Sequence, residues 1–120
     1  MTLVEVKTAE LIGPALDWAV AQIEGETEHV QFSALPSSRH YYAPSRKWAQ
    51  GGPLIEKHRI SVMENLPAMA DSIWEARGSI GAIGAGWRFT HGPTPLIAAM
   101  RCLVASKLGD TVQVPEELLP

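Results

Sequence analysis

The chain has 120 residues, a formal net charge of −3 and an isoelectric point near 5.8. This length is typical of one domain, which we expect to span residues 1–120 and to bury roughly two-thirds of its unfolded surface. The acidic balance argues against generic DNA binding, because sequence-independent contact with phosphates requires a strongly basic face. The single cysteine, Cys102, excludes an internal disulfide and a thiolate zinc cluster.

The sequence predicts a cytoplasmic protein. Residues 1–7 lead directly into acidic, helix-like sequence rather than into the apolar stretch of a signal peptide. No apolar run approaches the roughly 18 residues that a transmembrane helix requires. We therefore expect a reducing compartment and no membrane partner.

The first 25 residues predict a short strand followed by a helix. The segment Leu3–Lys7 alternates weakly and suits an edge strand or an extended lead-in. Thr8 is placed to act as an N-cap, and apolar residues then recur on one helical face as far as Gly25. Pro14 disturbs this helix and either kinks it or marks a second start. Asp17 lies beside the apolar stripe, so we expect a solvated carboxylate rather than a catalytic acid.

The middle of the chain predicts a loop, an interrupted helix and several short strands. Residues 30–32 are a strand candidate, and residues 33–44 are rich in Ser, Pro and Tyr, as loops are. Ser45 is placed to cap a helix that residues 51–53 interrupt and Pro53 restarts. Two further segments, residues 60–63 and 72–76, alternate as strands do, and residues 87–89 are one more candidate for a short strand.

The clearest element is a helix from Pro95 to Leu108, because both of its ends are marked. Thr94 can cap the first turn, and proline suits the first helical position. Gly109 follows as a left-handed stop, with Lys107 in the last turn. Nearly every residue between the ends is apolar. We therefore expect this helix to be covered on more than one side, by the sheet and by either the first helix or a second subunit.

Together these elements predict an α+β domain. Its small, mostly antiparallel sheet of three to four strands would be flanked by about three helices, in an αβα-sandwich-like arrangement. Residues 111–120 begin with an extended segment and are expected either to end in a terminal turn at residues 115–119 or to form a loosely packed C-terminal tail.

The glycine-rich segment at residues 78–86 is a weak candidate for a phosphate loop. Its spacing, Gly81-x-x-Gly84-x-Gly86, is the dinucleotide fingerprint reversed, and strand-like sequence follows where a helix should begin. No Walker lysine follows it. We expect a flexible hairpin loop, with a ligand-contacting loop as the alternative.

A stronger candidate for a binding site combines basic and aromatic residues. Residues 39–48 interleave the two types, as sites that stack a ring and bind a phosphate require. If Ser45 caps a helix, Arg46 and Lys47 lie at its positive end, where each costs roughly 0.3–1 kcal/mol and a bound anion would relieve the strain. The alternatives are a solvated loop and a surface for a protein partner. The predicted anion or nucleotide patch consists of Arg39, Tyr42, Arg46, Lys47, Trp48, Trp87 and Arg88.

The sequence shows no set of residues typical of catalysis or metal binding. The four histidines do not share metal-ligand spacing, and neither a nucleophilic serine motif nor paired carboxylates stand out. The four tryptophans are typical of core and interface anchors. If Trp48 and Trp87 approach each other, we expect a pocket between them, beside Arg88. We expect no catalytic residue, no metal ion and no cofactor.

Three sequence blocks resemble the phage NinX-like family, whose function is unknown. They lie at residues 10–21, 48–56 and 92–110, and the second begins Trp-Ala-Gln-Gly-Gly-Pro. The resemblance covers most of the chain and implies a phage or prophage origin. The related phage αβα-sandwich domain implies a small sheet held between helices. Family members often have Ser-Thr-Asp before the second block, where this chain has Ser45-Arg46-Lys47.

The resemblance brings no catalytic residues with it. It implies a phage accessory protein inside a bacterial host, and we expect one that acts by binding a host protein or a small nucleotide-like ligand. The alternative is an enzyme of nucleotide or nucleic-acid metabolism with an unrecognised active site. A homo-oligomer is the further expectation from the apolar surface of the last helix.

Overall fold

The computed structural model describes residues 2–26, 32, 41–66, 72–79 and 86–120. These residues form an α+β fold, which confirms the predicted class. The elements are β1 (Leu3–Lys7), α1 (Gly13–Glu24), α2 (Trp48–Lys57), β2 (Ser61–Glu64), β3 (Trp74–Ser79), β4 (Trp87–Gly92), α3 (Pro95–Leu108) and β5 (Thr111–Pro115), with 3₁₀ turns at Thr8–Glu10 and Glu116–Leu118. Apart from residue 32, the strand candidate at 30–32 lies outside the described residues. In the described ranges, no helix has the length and apolar character needed to cross a membrane.

The strands form two antiparallel sheets. β2, β3 and β4 form a three-stranded sheet in that order, with Ala76 opposite Val62 on one side and Thr90 on the other. β1 and β5 form a separate pair, which the sequence did not predict. The expected loose tail is wrong for residues 111–115, since Val112 and Val114 of β5 are buried in the core. The physical reason is that β5 pairs with β1, and in a paired strand every second side chain faces the core.

Helix α3 forms the centre of the core. Every residue from Leu96 to Ala105 is buried. The helix packs against β3 and β4 and also against α1. Its apolar surface, which suggested cover by a second subunit, is therefore covered within one copy of the chain.

The two ends of α3 lie where the sequence predicts. Pro95 occupies the first turn, and the N–H of Ile97 donates to Oγ1 of Thr94 at 3.1 Å. Gly109 ends the helix with φ 96° and ψ −166°. This is not the left-handed helical conformation that we expected, but it lies in a region that is essentially restricted to glycine.

We expect Thr94→Ala to lower the free energy of unfolding by about 1 kcal/mol, because the N–H of Ile97 loses its acceptor. Urea denaturation followed by circular dichroism measures the change. Thr94→Ser keeps a capping hydroxyl and is the matched control, with an expected change of less than about 0.5 kcal/mol. Equal midpoints for the alanine variant and the unaltered chain would show that this cap contributes nothing.

Helix α1 begins at Gly13, so the predicted N-cap at Thr8 is wrong. Pro14 lies in the first turn, where its missing N–H leaves no bond unmade. The second of the two interpretations of Pro14, a helix start, is thus correct. Thr8 belongs to the preceding 3₁₀ turn, and its hydroxyl donates to the carbonyl of Gly109 at 2.7 Å.

Helix α2 runs through the predicted interruption. Residues 51–53 are helical, with Pro53 inside the element, and Lys47 rather than Ser45 occupies the N-cap position. An internal proline removes one helical hydrogen bond, so contacts from outside the helix must offset that loss. At its carboxyl end, Lys57 Nζ and His58 Nε2 each lie 2.7 Å from the carboxylate of Glu24 on α1.

The strands on either side of the glycine-rich segment, β3 and β4, are antiparallel neighbours. Gly78 lies within β3 and packs against α3, where an added Cβ would lie 3.0 Å from Sγ of Cys102. Residues 80–85 lie outside the described residues, so the hairpin loop and its alternative both stay predictions.

Candidate functional site

Asp17 lies where α1 meets the turn that precedes α2. Its side chain is 0% exposed, so the expectation of a solvated carboxylate is wrong. Oδ1 accepts a hydrogen bond from the backbone N–H of Ser45 at 2.8 Å. Oδ2 accepts from Nη2 of Arg46 at 2.9 Å and from its Nε at 3.3 Å. Asp17 therefore holds this turn against α1.

Burial raises the pKa of the Asp17 carboxyl above its usual value, because the ionised form loses its hydration. The hydrogen bond from the backbone N–H of Ser45 and the hydrogen bonds and positive charge of Arg46 oppose this effect without cancelling it. The Arg46 guanidinium is thus the counter-ion of a buried carboxylate. The positive charge of Arg46 at the start of α2 suggested a bound anion. In the structure, the carboxylate of Asp17 pairs with that charge instead.

Gln50 and Gly51 fix the same turn from α2. Oε1 of Gln50 accepts from the N–H of Ala43 at 2.6 Å, and its Nε2 donates to the carbonyl of Tyr41 at 3.1 Å. Gly51 packs directly on Pro44, where an added Cβ would lie 2.2 Å from the carbonyl oxygen. The Gln-Gly pair of the second sequence block therefore has a structural role.

A small cavity of about 250 Å³ lies beside this turn. Arg46 and Trp48 line one side of it, and residues 94–97 at the start of α3 line the other. Trp48 is 60% exposed. The second and third sequence blocks meet at this cavity, and the first contributes Asp17 behind it.

A larger cleft, of about 830 Å³, lies along β4. In the described residues β4 pairs only with β3, so it is an edge strand of the three-stranded sheet. Residues 88–91 form one wall of the cleft, and the 3₁₀ turn Thr8–Glu10 contributes to the other. Arg101 and Ala105 of α3 also line it.

Basic residues from three separate elements line this cleft. They are Lys7 at the end of β1, Arg88 on β4 and Arg101 on α3. Arg101 is only 8% exposed, and its Nε and Nη1 donate to two backbone carbonyls at 2.8 and 2.9 Å. These bonds hold its charge in one place. Arg88 pairs instead with Asp110, whose side chain is 79% exposed.

Apolar side chains complete the cleft. Phe89 is 54% exposed and Ile12 is 39% exposed. Both line the same space as the basic residues. The cleft therefore combines an accessible aromatic ring with fixed positive charge, the two features that stacking and phosphate binding require.

The structure divides the predicted patch between two places and leaves one member outside the described residues. Four members lie at or beside the turn before α2: Tyr42, Arg46, Lys47 and Trp48. Two others, Trp87 and Arg88, lie on β4. The last, Arg39, lies outside the described residues. Trp48 lines the same cavity as the first turn of α3, whereas the carbonyl of Arg88 accepts from Sγ of Cys102, further along that helix, at 3.7 Å. Trp48 and Arg88 consequently line different cavities.

Tyr42 has a structural place in the fold. Its ring packs against the core and meets the ring of Phe32 edge to face, with 6.4 Å between centroids. Burial raises the pKa of the Tyr42 hydroxyl, and the nearby carboxylates add to the effect. The hydroxyl therefore stays protonated at neutral pH.

Lys7 and Arg101 were not among the predicted site residues. For Arg101 a signal exists, because it is a charged residue in the middle of a helix that is otherwise apolar, and such residues are rarely buried without a partner. For Lys7 the sequence offers no comparable signal, since a lysine at the end of a short strand is ordinary.

Within the described ranges, no group of three or more His, Cys, Asp or Glu residues could hold a metal ion. Burial raises the pKa of the Cys102 thiol, so the thiol stays protonated and is a poor nucleophile.

Fold and cleft together define a small α+β domain with a basic and aromatic cleft at the edge of a sheet. The chain belongs to the family described as Bacteriophage P22, NinX, whose sequence model matches residues 7–107. This match confirms the family that the three sequence blocks indicated. A search of the curated proteins finds no match.

Proposed function

We propose that this phage accessory protein is a non-enzymatic binding protein that holds a small, anionic, nucleotide-like ligand in the cleft along β4. The observation that carries the proposal is the convergence of Lys7, Arg88 and Arg101 on one cleft of about 830 Å³. Clefts of roughly 300–1,000 Å³ are typical of sites for small molecules and cofactors.

The charge of the cleft supports an anionic ligand. Three basic and two acidic side chains line it, although the chain as a whole carries a net charge of −3. The local excess of positive charge attracts anions into a site with low-dielectric walls. Asp110 is a weak competitor, because an exposed ion pair contributes only about 0–1 kcal/mol. An entering phosphate can therefore replace Asp110 as the partner of Arg88.

The aromatic wall supports a ligand that also contains a flat ring. A base can stack on the exposed ring of Phe89 while its phosphate contacts Arg88 and Lys7. Arg101, already oriented by two backbone carbonyls, supplies positive charge from α3. Binding of this kind would sequester the ligand in the host cell, and sequestration requires no catalytic residue.

Isothermal titration of the full chain with AMP, ADP, cyclic mononucleotides, cyclic dinucleotides and inorganic phosphate tests the proposal. We expect at least one nucleotide to bind with a Kd of about 10 μM or below. Arg88→Glu should raise that Kd by about tenfold or more, because it replaces a cation that faces the anion by a second anion.

Lys47→Glu is the matched control, since it makes the same change of charge at the turn before α2, outside the cleft. It should leave the Kd unchanged. The opposite pattern would place the site at the turn and overturn the proposal. No heat of binding from any of these ligands at about 1 mM would also overturn it. Conversion of the nucleotide during the titration would favour the enzyme of nucleotide metabolism instead.

A further inference from the structure

The outer face of the three-stranded sheet carries exposed apolar side chains. Ala76 and Thr90 face α3 and are buried, whereas the residues that alternate with them point away from the helix. On this outer face Trp87 is 59% exposed, Phe89 is 54% exposed and Met63 is 38% exposed. Exposed apolar groups that cluster in this way are typical of an interaction surface.

Two opposite charges lie at the centre of this face. Glu75 and Arg77 are two residues apart on β3, the central strand, so they point to the same side. The guanidinium of Arg77 lies over the ring of Trp87, with its Cζ 5.6 Å from the ring centroid. Two cross-strand rows result: Met63, Glu75 and His91 form one, and Ser61, Arg77 and Phe89 form the other.

We propose that this face binds the same face of a second copy of the chain. The twofold axis lies in the plane between the two sheets, passes over Ala76 and runs at right angles to β3. Rotation about this axis reverses the strand direction, so Glu75 of each copy lies opposite Arg77 of the other and two ion pairs form. A twofold axis along β3 would instead place Glu75 opposite Glu75. The order of charges therefore selects one of the two arrangements.

The charges on this face favour a second copy over a nucleic acid. A single strand of nucleic acid needs a groove with an excess of positive charge. Here the central strand presents one cation, Arg77, and one anion, Glu75. This pair of charges is complementary to the same pair on a second copy. The face is also separate from α3, whose apolar surface is covered within one copy.

The size of the face sets the expected strength. Three strands of four, six and six residues, spaced about 4.8 Å apart, cover at most roughly 14 by 20 Å. This area is well below the roughly 800 Å² that each partner buries in a standard interface. We therefore expect a reversible dimer with a Kd of tens of micromolar, about 10–100 μM.

Sedimentation equilibrium of the full chain between about 5 and 500 μM tests the proposal. We expect a monomer–dimer equilibrium in the unaltered chain. Glu75→Arg and Arg77→Glu should each raise the dimer Kd by about tenfold, because each places like charges opposite one another. The double variant exchanges both charges and should return the Kd to within about threefold of the original value. Glu5→Arg on β1 makes the same change of charge away from this face and should have no effect.

Four results would overturn the proposal. Three of them are a monomer mass at every concentration up to about 500 μM, a dimer that neither single variant weakens, and a double variant whose dimer is no stronger than those of the single variants. A fourth is a monomer that binds a fluorescent single-stranded oligonucleotide and loses this binding on Trp87→Ser, which would assign the face to a nucleic acid. Phe89 and His91 of this face also line the cleft, so a dimer would cover part of the cleft's rim. Glu75 and Arg77 do not line the cleft, so their variants test the dimer without changing the charges that face the proposed ligand.

Discussion

Gly51→Ala is expected to lower the free energy of unfolding by about 3 kcal/mol or more. The added Cβ would lie 2.2 Å from the carbonyl oxygen of Pro44 and 2.6 Å from Cδ2 of Leu96. The side chain of Leu96 is buried in the core, and the contact with Pro44 is with its backbone, so neither neighbour can move aside easily. Since the bonds from Asp17 and Gln50 hold the turn around Pro44 in place, relief requires α2 to move. Chemical denaturation followed by circular dichroism measures the loss.

Gly52→Ala, at the next position of the same helix, is the matched control. There the nearest atom to an added Cβ is Cε3 of Trp48, at 4.0 Å, so the methyl group has room. Alanine should stabilise the chain by about 0.5–1 kcal/mol, because it favours a helix interior more than glycine does. If both alanine variants proved stabilising, the close approach of Gly51 to Pro44 would not constrain the protein in solution.

These two glycines show why the predicted interruption of α2 is wrong. A Gly-Gly-Pro sequence favours a break on local grounds, since glycine and proline are the poorest helix formers. The contacts that keep this segment helical come from other parts of the chain. Gly51 packs on Pro44, and Gln50 holds the backbone at residues 41 and 43. Such contacts override propensity and leave no periodic pattern in the sequence.

The sequence predicted α3 well because its signals are local. Thr94 and Ile97, which form the cap, are three residues apart, and the stop at Gly109 is the residue after the last helical turn. Part of the strand β3 was predicted for a similar reason, because the alternation of residues 72–76 is visible within a few residues. Asp17 was misjudged because its partners, Ser45 and Arg46, lie 28 and 29 residues away.

The candidate site could be predicted only in part. Arg88 was identified from its own neighbourhood in the sequence. The cleft that it lines also needs Lys7 and Arg101, which come from a different sheet and from the central helix. Only the packing of both β4 and the first 3₁₀ turn against α3 brings these three charges together, and no spacing along the chain encodes those contacts.

Asp17→Ala is expected to lower the free energy of unfolding by about 3 kcal/mol. The change leaves the buried N–H of Ser45 without its acceptor and Arg46 without its carboxylate. Gln22→Ala, on the exposed side of α1, is the control and should change the stability by less than about 0.5 kcal/mol. A loss no larger than that of the control would show that the turn before α2 stays in place without Asp17.

Asp17→Asn should cost less, about 1 kcal/mol, because the carboxamide oxygen can still accept from Ser45 and no buried charge remains. The difference in the free energy of unfolding between the unaltered chain and Asp17→Asn also depends on pH. Burial raises the folded-state pKa of Asp17 above its usual value of 3.8, so the folded chain holds the proton more tightly than the unfolded chain. Stability from this group is then fully present below the unfolded pKa and is lost as the pH rises through the folded pKa.

The free energy of unfolding of the unaltered chain, minus that of Asp17→Asn, should therefore fall as the pH rises from about 4 to about 7. Denaturation of both proteins at several pH values in that range measures the slope. The carboxylate of Glu24 titrates in both proteins and cancels in the difference. A difference that instead rises with pH would show that attraction to Arg46 outweighs the cost of burying the charge. The turn before α2 would then be held mainly by an ion pair and less by the hydrogen bond to Ser45.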